Sequence, residues 1–284
     1  MKLFSKLLGA AVASIALVGV ASCGKDKDSD DVTTIYAATK GAPSPFITQT
    51  ESGKLEGYDI EVLNEAFKLL PQYKLDLTVS DSALDQAATG LVNFTVNNWG
   101  YNTSRAETYY YSYPYTKTVY TFVTRKGEGF SNFEDAAGKR VQSGTSGAAT
   151  NAIQTWNKKY PDKKINIDYT ETEILKHYQD VVDGVYDFTL DDLPVVNSYK
   201  AAYPELFENL EITVIDASNA ENIVTATTSH LLFTKVGGTE ADKLRKDVSE
   251  AIKTLHDNGT LTRLSQEIVG TDLNPTDSDY KYLN

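Results

Sequence analysis

Beyond residue 32 the chain alternates short β-branched runs with stretches in which apolar residues recur at helical spacing. The first runs predict strands over 33–38, 74–79 and 92–97, with helices over 58–70 and 82–89 between them. In the first helix Ile60, Leu63, Phe67 and Leu70 share a face, Glu61, Asn64 and Lys68 take the other, and Pro71 ends it. The second is bracketed by Asp81 or Ser82 as cap and by Gly90 at its end, with Leu84, Ala87 and Ala88 inward. A second series starts after about residue 125: strand 139–143, helix 146–159, strand 165–169, helix 172–183, strand 185–190. An apolar strand over 231–234 and a helix over 239–257 follow, the helix turning Leu244, Val248, Ile252 and Leu255 inward. Asn258-Gly259 stops it and Thr260 opens another. Strand–helix alternation implies an α/β protein whose parallel strands carry helices on their faces, and two series imply two sheets.

The N-terminal residues follow neither pattern. Lys2 and Lys6 precede an apolar run over 7–20, and small residues then lead to Cys23, the order of an export signal over 1–22. The run is too short and too rich in Ala and Gly for a membrane span, which needs about 20 apolar residues. Val20-Ala21-Ser22-Cys23 resembles a bacterial lipobox, where the peptidase cuts before a Cys joined to a diacylglycerol. Cys23 is then the lipidation site, holding the protein to the outer face of a bacterial membrane through acyl chains such as palmitate. Each buried methylene adds about 0.8 kcal/mol, and more than one chain is needed for a lasting hold. Residues 23–31 read as the lipidated Cys and a flexible tether, because GKDKDSDD has nothing apolar to bury.

The chain has one Cys, which excludes an internal disulfide and, once acylated, a thiol nucleophile. Its formal charge is −12, and loss of Lys2 and Lys6 with the signal makes the mature chain more acidic still. Such a surface repels nucleic acid, which is excluded as a partner.

In parallel α/β sheets, ligands bind beyond the carboxyl ends of the strands. That rule selects residues 40–46, 97–105, 143–147 and 191–192. Gly144-Thr145-Ser146-Gly147 at a helix start suits an anion or simply caps the helix. Arg105 suits a ligand carboxylate or an ion pair with Glu107. Asp191 and Asp192 are neighbours on an extended segment, so at most one should face a cleft. One cation, one carboxylate and one anion-favouring helix start together complement a zwitterion. Phe46, and Trp99 with Tyr101, are candidates for a pocket wall or for core. Six Tyr fall between 109 and 120 and read as amphipathic strand and hinge surface. His177, His230 and His256 show no metal-ligand spacing, so neither a metal nor a cofactor is expected.

Taken in order, several motifs resemble the solute-binding proteins of bacterial polar amino acid ABC transporters, family 3, with the two-lobed type II periplasmic-binding fold. They are Pro45-Phe46, Gly53, Gly57-Tyr58-Asp59-Ile60-Glu61, Arg105, Tyr111-Ser112-Tyr113-Pro114-Tyr115, Gly138-Lys139-Arg140-Val141 leading to Gly144-Thr145, Asp187 with Asp192, Asn258-Gly259-Thr260, and Gly270. The resemblance spans about 32–272. It implies a first lobe of 32–123 plus 228–272 and a second of 124–227, each a mainly parallel sheet with flanking helices, joined by a two-strand hinge, with 273–284 as a tail. It further implies that Arg105 grips the α-carboxylate of an amino acid, helped by Thr145 and Ser146, and that Asp192 holds the α-ammonium, leaving Asp191 a bystander.

Asn97, Asn98, Gly100 and Asn102 stand where small hydroxyl residues are usual, and Asn98 and Gly100 are carried over as ligand contacts. Pro43 occupies a place where a stacking aromatic is frequent, for which Phe46 or Trp99 is the substitute. The partners implied are a free amino acid and the ABC permease, for a protein expected to be a monomer with no catalytic residue. The rivals are a dehydratase of this fold acting on prephenate-like acids, and a surface adhesin or sensor scaffold.

Overall fold

The structure is a computed structural model that describes residues 32–101, 103–145, 147–216 and 228–282. The expected signal, Cys23 and the tether lie outside the described residues, as do Asn102 and Ser146. The chain runs β1 (Thr33–Thr39), β2 (Thr48–Gln49), β3 (Leu55–Glu56), α1 (Tyr58–Lys68), β4 (Tyr73–Val79), α2 (Ala83–Thr89) and β5 (Phe94–Gly100). There follow α3 (Thr103–Thr108), β6 (Tyr109–Tyr111), β7 (Thr116–Lys117), β8 (Tyr120–Arg125), β9 (Arg140–Ser143), α4 (Ala148–Lys159) and β10 (Asn166–Tyr169). The remainder is α5 (Ile174–Val182), β11 (Phe188–Asp192), α6 (Leu193–Ala202), α7 (Pro204–Phe207), β12 (Leu210–Val214), β13 (Thr228–Thr234), α8 (Thr239–Asp257) and α9 (Thr260–Val269).

Two sheets form, as the two series predict. The first has the order β4-β1-β5-β13-β6, with β7 also on β13, and the second β10-β9-β11-β8-β12. Each combines a parallel half with an antiparallel one: β4, β1 and β5 run parallel, as do β10, β9 and β11, whereas β13 opposes β5 and β8 opposes β11. The antiparallel strands are those next to the passage from one sheet to the other.

Strand β8 pairs with β11 and β12 along its whole length, so the second sheet begins at Tyr120, a few residues before the expected 124. The outgoing passage is therefore the short stretch between β7 and β8, while the return over 217–227 lies outside the described residues.

The first sheet is covered on one face by α1, α8 and α9, where Ile60, Leu63, Val248, Ile252 and Leu261 join Phe94 and Phe233 in one buried cluster. On its other face α2 packs Ala83 and Ala87 against Trp99, Tyr109, Tyr111 and Leu232. The second sheet is packed by α4 over an aromatic set, Phe122 meeting Phe130, Phe133 and Phe188 edge-on, and by α5 to α7 around Tyr178 and Phe207. Burying each such large side chain contributes about 1.5–3 kcal/mol.

Helix α1 starts hard against the Pro45-Phe46 segment. The Tyr58 and Asp59 N–H groups donate to the Pro45 and Phe46 carbonyls at 3.1 and 3.0 Å. Gly57, at φ 119°, permits this approach, since a Cβ there would lie 2.4 Å from the Phe46 oxygen. The expected tail is part of the first lobe: Leu273 is buried and accepts from the Lys117 N–H, and the Tyr280 hydroxyl donates to the Pro114 carbonyl.

Candidate functional site

Both sheets turn the carboxyl ends of their parallel strands toward one cleft of about 170 Å³. The first sheet supplies Asn98 and Gly100 from the end of β5, with Pro43 from the loop after β1; the passage supplies Thr118, and Tyr120 follows at the start of β8. The second sheet supplies Leu190, Asp191 and Asp192 from β11, Ala148 and Ala149 from the start of α4, Ile174 and Val195. The wall is thus apolar apart from a few convergent polar groups, the usual make-up of a small-molecule site.

Asp192 is the most heavily engaged of these. It is buried at the last position of β11, where its Oδ1 accepts from the Val119 N–H of the passage at 2.9 Å and its Oδ2 from the Asn98 amide at 3.4 Å. One carboxylate thereby touches both sheets and the segment that joins them. Burial pushes its carboxyl up to about 7, only partly offset by the Val119 and Asn98 donors. Asp191 lines the same cleft, and its carboxyl accepts from Thr189 on the other side of the strand. Burial raises it to about 6. The alternation along the strand holds for the carboxyls, but the strand end is open enough for both residues to border the cavity.

Asn98 has the one non-glycine positive φ among the described residues, 49°, and its Oδ1 is buried with no hydrogen-bond partner there. The Tyr120 hydroxyl is likewise buried and unpartnered among the described residues, and burial together with the nearby Asp192 and Asp191 raises its pKa. Both atoms belong to residues that line the cleft.

Other expected site residues lie elsewhere. Phe46 is fully buried in the first lobe, its ring edge-on to Tyr58, so it forms core rather than a stacking wall. Trp99 points away from the cleft into the cluster under α2, because Asn98 and Gly100 occupy the opposite side of β5. Thr145 is exposed and donates to Glu171 at 3.3 Å, outside the cleft lining. Arg105 does not line the cleft either: its guanidinium lies over the Trp99 ring at 4.9 Å and donates to the Gly100 carbonyl at 3.5 Å, one residue behind the wall. Burial lowers its pKa, yet a guanidinium keeps its charge there.

Sequence reasoning assigns no site role to Thr118, Tyr120, Ala148, Ala149, Ile174, Leu190 or Val195, all of which line the cleft. None of the three His lines the cleft; His230 is held by Ser112 and Thr228, and burial lowers it to about 4.

A cleft between two α/β sheets, edged by a buried carboxylate and by strand ends from both, agrees with the family comparison. Residues 35–271 match the bacterial extracellular solute-binding proteins, family 3. The chain belongs to that family. Its relatives within the family include the probable amino-acid-binding protein YxeM of Bacillus subtilis, 27% identical over 96% of this chain and 97% of that one. The L-cystine-binding protein TcyJ of the same organism is 26% identical, over 90% and 91%. Among solved family folds, a structure from work on glutathione import through GshT and the cystine importer TcyBC of Streptococcus mutans matches with a TM-score of 0.74 at 25% identity, covering 87% of this chain and 99% of that one. An ancestral arginine-binding protein bound to arginine shares the fold, with a TM-score of 0.65 at 19% identity. Family proteins of this kind bind solutes outside the cytoplasm. No helix among the described residues is long and apolar enough to cross a membrane.

Proposed function

We propose that the chain captures an amino acid or a cystine-like derivative in the cleft and hands it to the permease of an ABC importer. The observation that carries this is Asp192, a buried carboxylate bonded at once to the first sheet through Asn98 and to the passage through Val119. A ligand ammonium would give the buried Asp192 carboxylate a charge partner, with the buried Asn98 Oδ1 and Tyr120 hydroxyl on neighbouring lining residues as further acceptors. The ligand carboxylate is assigned to the backbone N–H groups at the start of α4, where Ala148 and Ala149 line the cleft, with Arg105 at the Gly100 carbonyl one residue behind the wall. Pro43, Ile174 and Val195 offer the side chain an apolar wall. With Asp191 and Asp192 both in that wall, neutral or basic amino acids are favoured over acidic ones.

The protein is assigned to the outer membrane face as a monomer anchored through Cys23, the relatives' role in import supporting this placement. Mass spectrometry of the membrane-extracted protein tests the anchor, expecting a diacylglycerol-bearing Cys23 at the N-terminus. A thermal-shift screen of the proteinogenic amino acids and L-cystine tests the function. At a hundredfold excess over Kd, a ligand adds about 2.7 kcal/mol of stability by mass action. A panel that shifts nothing, or that favours glutamate and aspartate, would overturn the proposal.

A further inference from the structure

We infer that Asp59 is a positioning residue of the cleft: from within the first lobe it holds the backbone of Asn98 in the left-handed conformation that turns the Asn98 side chain onto Asp192. Its bearing on ligand affinity rests on the cleft being the solute site.

Asp59 is the second residue of α1, a place where acids are normally solvated and face the helix dipole. Here it is 1% exposed, and its Oδ2 accepts from the Asn98 N–H at 2.9 Å across 39 residues of chain. The need for that acceptor comes from β5. Opposite β13, His230 pairs with Trp99 and Leu232 with Thr95, so Val96, Asn97 and Asn98 together face the single residue Leu231. Such a bulge leaves N–H groups without ladder partners and re-aims side chains. Side chains meet two of these N–H groups, and the Asn97 side chain braces the turn from within. The Leu231 N–H donates to the Ser112 hydroxyl at 2.9 Å, the Asn97 side chain accepts from the Thr39 hydroxyl and the Lys40 N–H, and the Asn98 N–H goes to Asp59. A left-handed non-glycine residue persists only where its surroundings over-determine it, and a charge-assisted bond to the backbone does that.

The side chain so aimed reaches Asp192 of the other sheet at 3.4 Å and lines the cleft. Asp59 itself is placed by the Phe46 carbonyl, which accepts its N–H through the approach that Gly57 permits. The Tyr115 hydroxyl stands beside the carboxyl, outside hydrogen-bond geometry. Gly57-Tyr58-Asp59 is therefore a bracket that ties α1 to the cleft edge, and Asn98 is the only part of it a solute would touch.

The test compares Asp59→Ala, Asp59→Asn and Asn98→Gly, alone and combined, using the panel compound that shifts the unaltered protein most. The amide oxygen of Asp59→Asn can accept the same N–H, and glycine keeps the backbone angle without the side chain. Asp59→Ala is expected to weaken binding about tenfold when Asn98 is present and by less than about threefold on top of Asn98→Gly, the non-additivity of residues acting through one another. Asp59→Asn is expected to restore affinity in the Asn98 background. Hydrogen exchange of the 94–101 peptide is expected to rise in Asp59→Ala and to return to the parent level in Asp59→Asn. Equal affinity costs in both Asn98 backgrounds, or unchanged exchange over 94–101, would reduce Asp59 to a structural residue. Should Asp59→Ala not fold, the Asn98 amide proton decides: it is expected downfield in the parent and less so in Asp59→Asn, and an ordinary position in both overturns the inference. If no panel compound binds, the functional proposal falls, while exchange and the amide resonance still decide the contact.

Discussion

At Asp192 the cost of burial and the gain of pairing meet on one side chain. Removing one partner of a buried charge pair costs about 2–5 kcal/mol, so Asp192→Ala is expected to lower ligand affinity by roughly thirtyfold or more in calorimetry. The carboxyl sits at about 7 because it is buried, and an ammonium favours its ionised form, so binding near neutral pH releases a proton. Affinity is expected to fall as pH drops below about 7, and the heat of binding to vary with the ionisation enthalpy of the buffer.

Burial acts on Asp59 in the same direction. Burial raises its carboxyl from 3.8 to about 7, so the folded state holds a proton that the unfolded chain releases, and its contribution to stability declines as pH rises through that window. Asp59→Asn is thus expected to melt a few degrees above the parent at pH 8, at about 2–4 °C per kcal/mol, with the advantage shrinking as pH falls below about 7 and gone only below about 4.

Neither effect was legible beforehand. An acid in a first helical turn looks solvated until the bulge that needs it is known, and that bulge is created by strands far apart in sequence. The misplaced aromatics carry no local signal: the expected strand ends at 97, short of Asn98, Trp99 and Gly100, so the sequence predicts no alternation over those three.

Among the elements, those with strong apolar periodicity were readable almost to the residue. Helix α8 occupies 239–257 as expected, with Leu244, Val248, Ile252 and Leu255 buried, and the Gly259 turn separates it from α9. Strand ends were less readable where turn glycines displace them. Expected 92–97 became Phe94–Gly100 after Gly90, and expected 185–190 became Phe188–Asp192 after Gly184. The Tyr-rich stretch hid two short strands and the start of β8, because its alternation is read by partners in two different sheets.

Element-scale packing yields two further expectations. Gly57→Ala places a methyl group on the Phe46 carbonyl at an angle unfavourable for any side chain, so denaturant unfolding should show a loss of about 2 kcal/mol or more. Phe122→Ala, which removes the ring at the centre of three edge-on aromatic contacts in the second sheet, should cost about 3–5 kcal/mol in the same measurement.

For the molecule as a whole, contacts between the two halves among the described residues include Asn98 on Asp192, Ser198 on Ser44, and Val195, Ile174 and Tyr199 against the first lobe's core. The architecture was legible because alternation fixes layers and the motif order fixes their arrangement; the position of the boundary was not, since β8 belongs by sequence to one series and by pairing to the other. A solute that bridges the halves favours the arrangement in which both touch it, and this differential contact is what a permease can read.

The stretch from Lys117 to Tyr120 is the feature with the widest reach. It leaves β13 at one end, enters β8 at the other, and between them Val119 both donates to Asp192 and accepts from Leu193. Because side chains along β8 alternate, inserting or deleting one residue here would turn Phe122 outward, swing Tyr120 off the cavity and strand the Asp192 carboxyl. Chimeras that graft one half of a related receptor onto the other should therefore assemble only when this strap keeps its length, whatever the identity of the sequences joined.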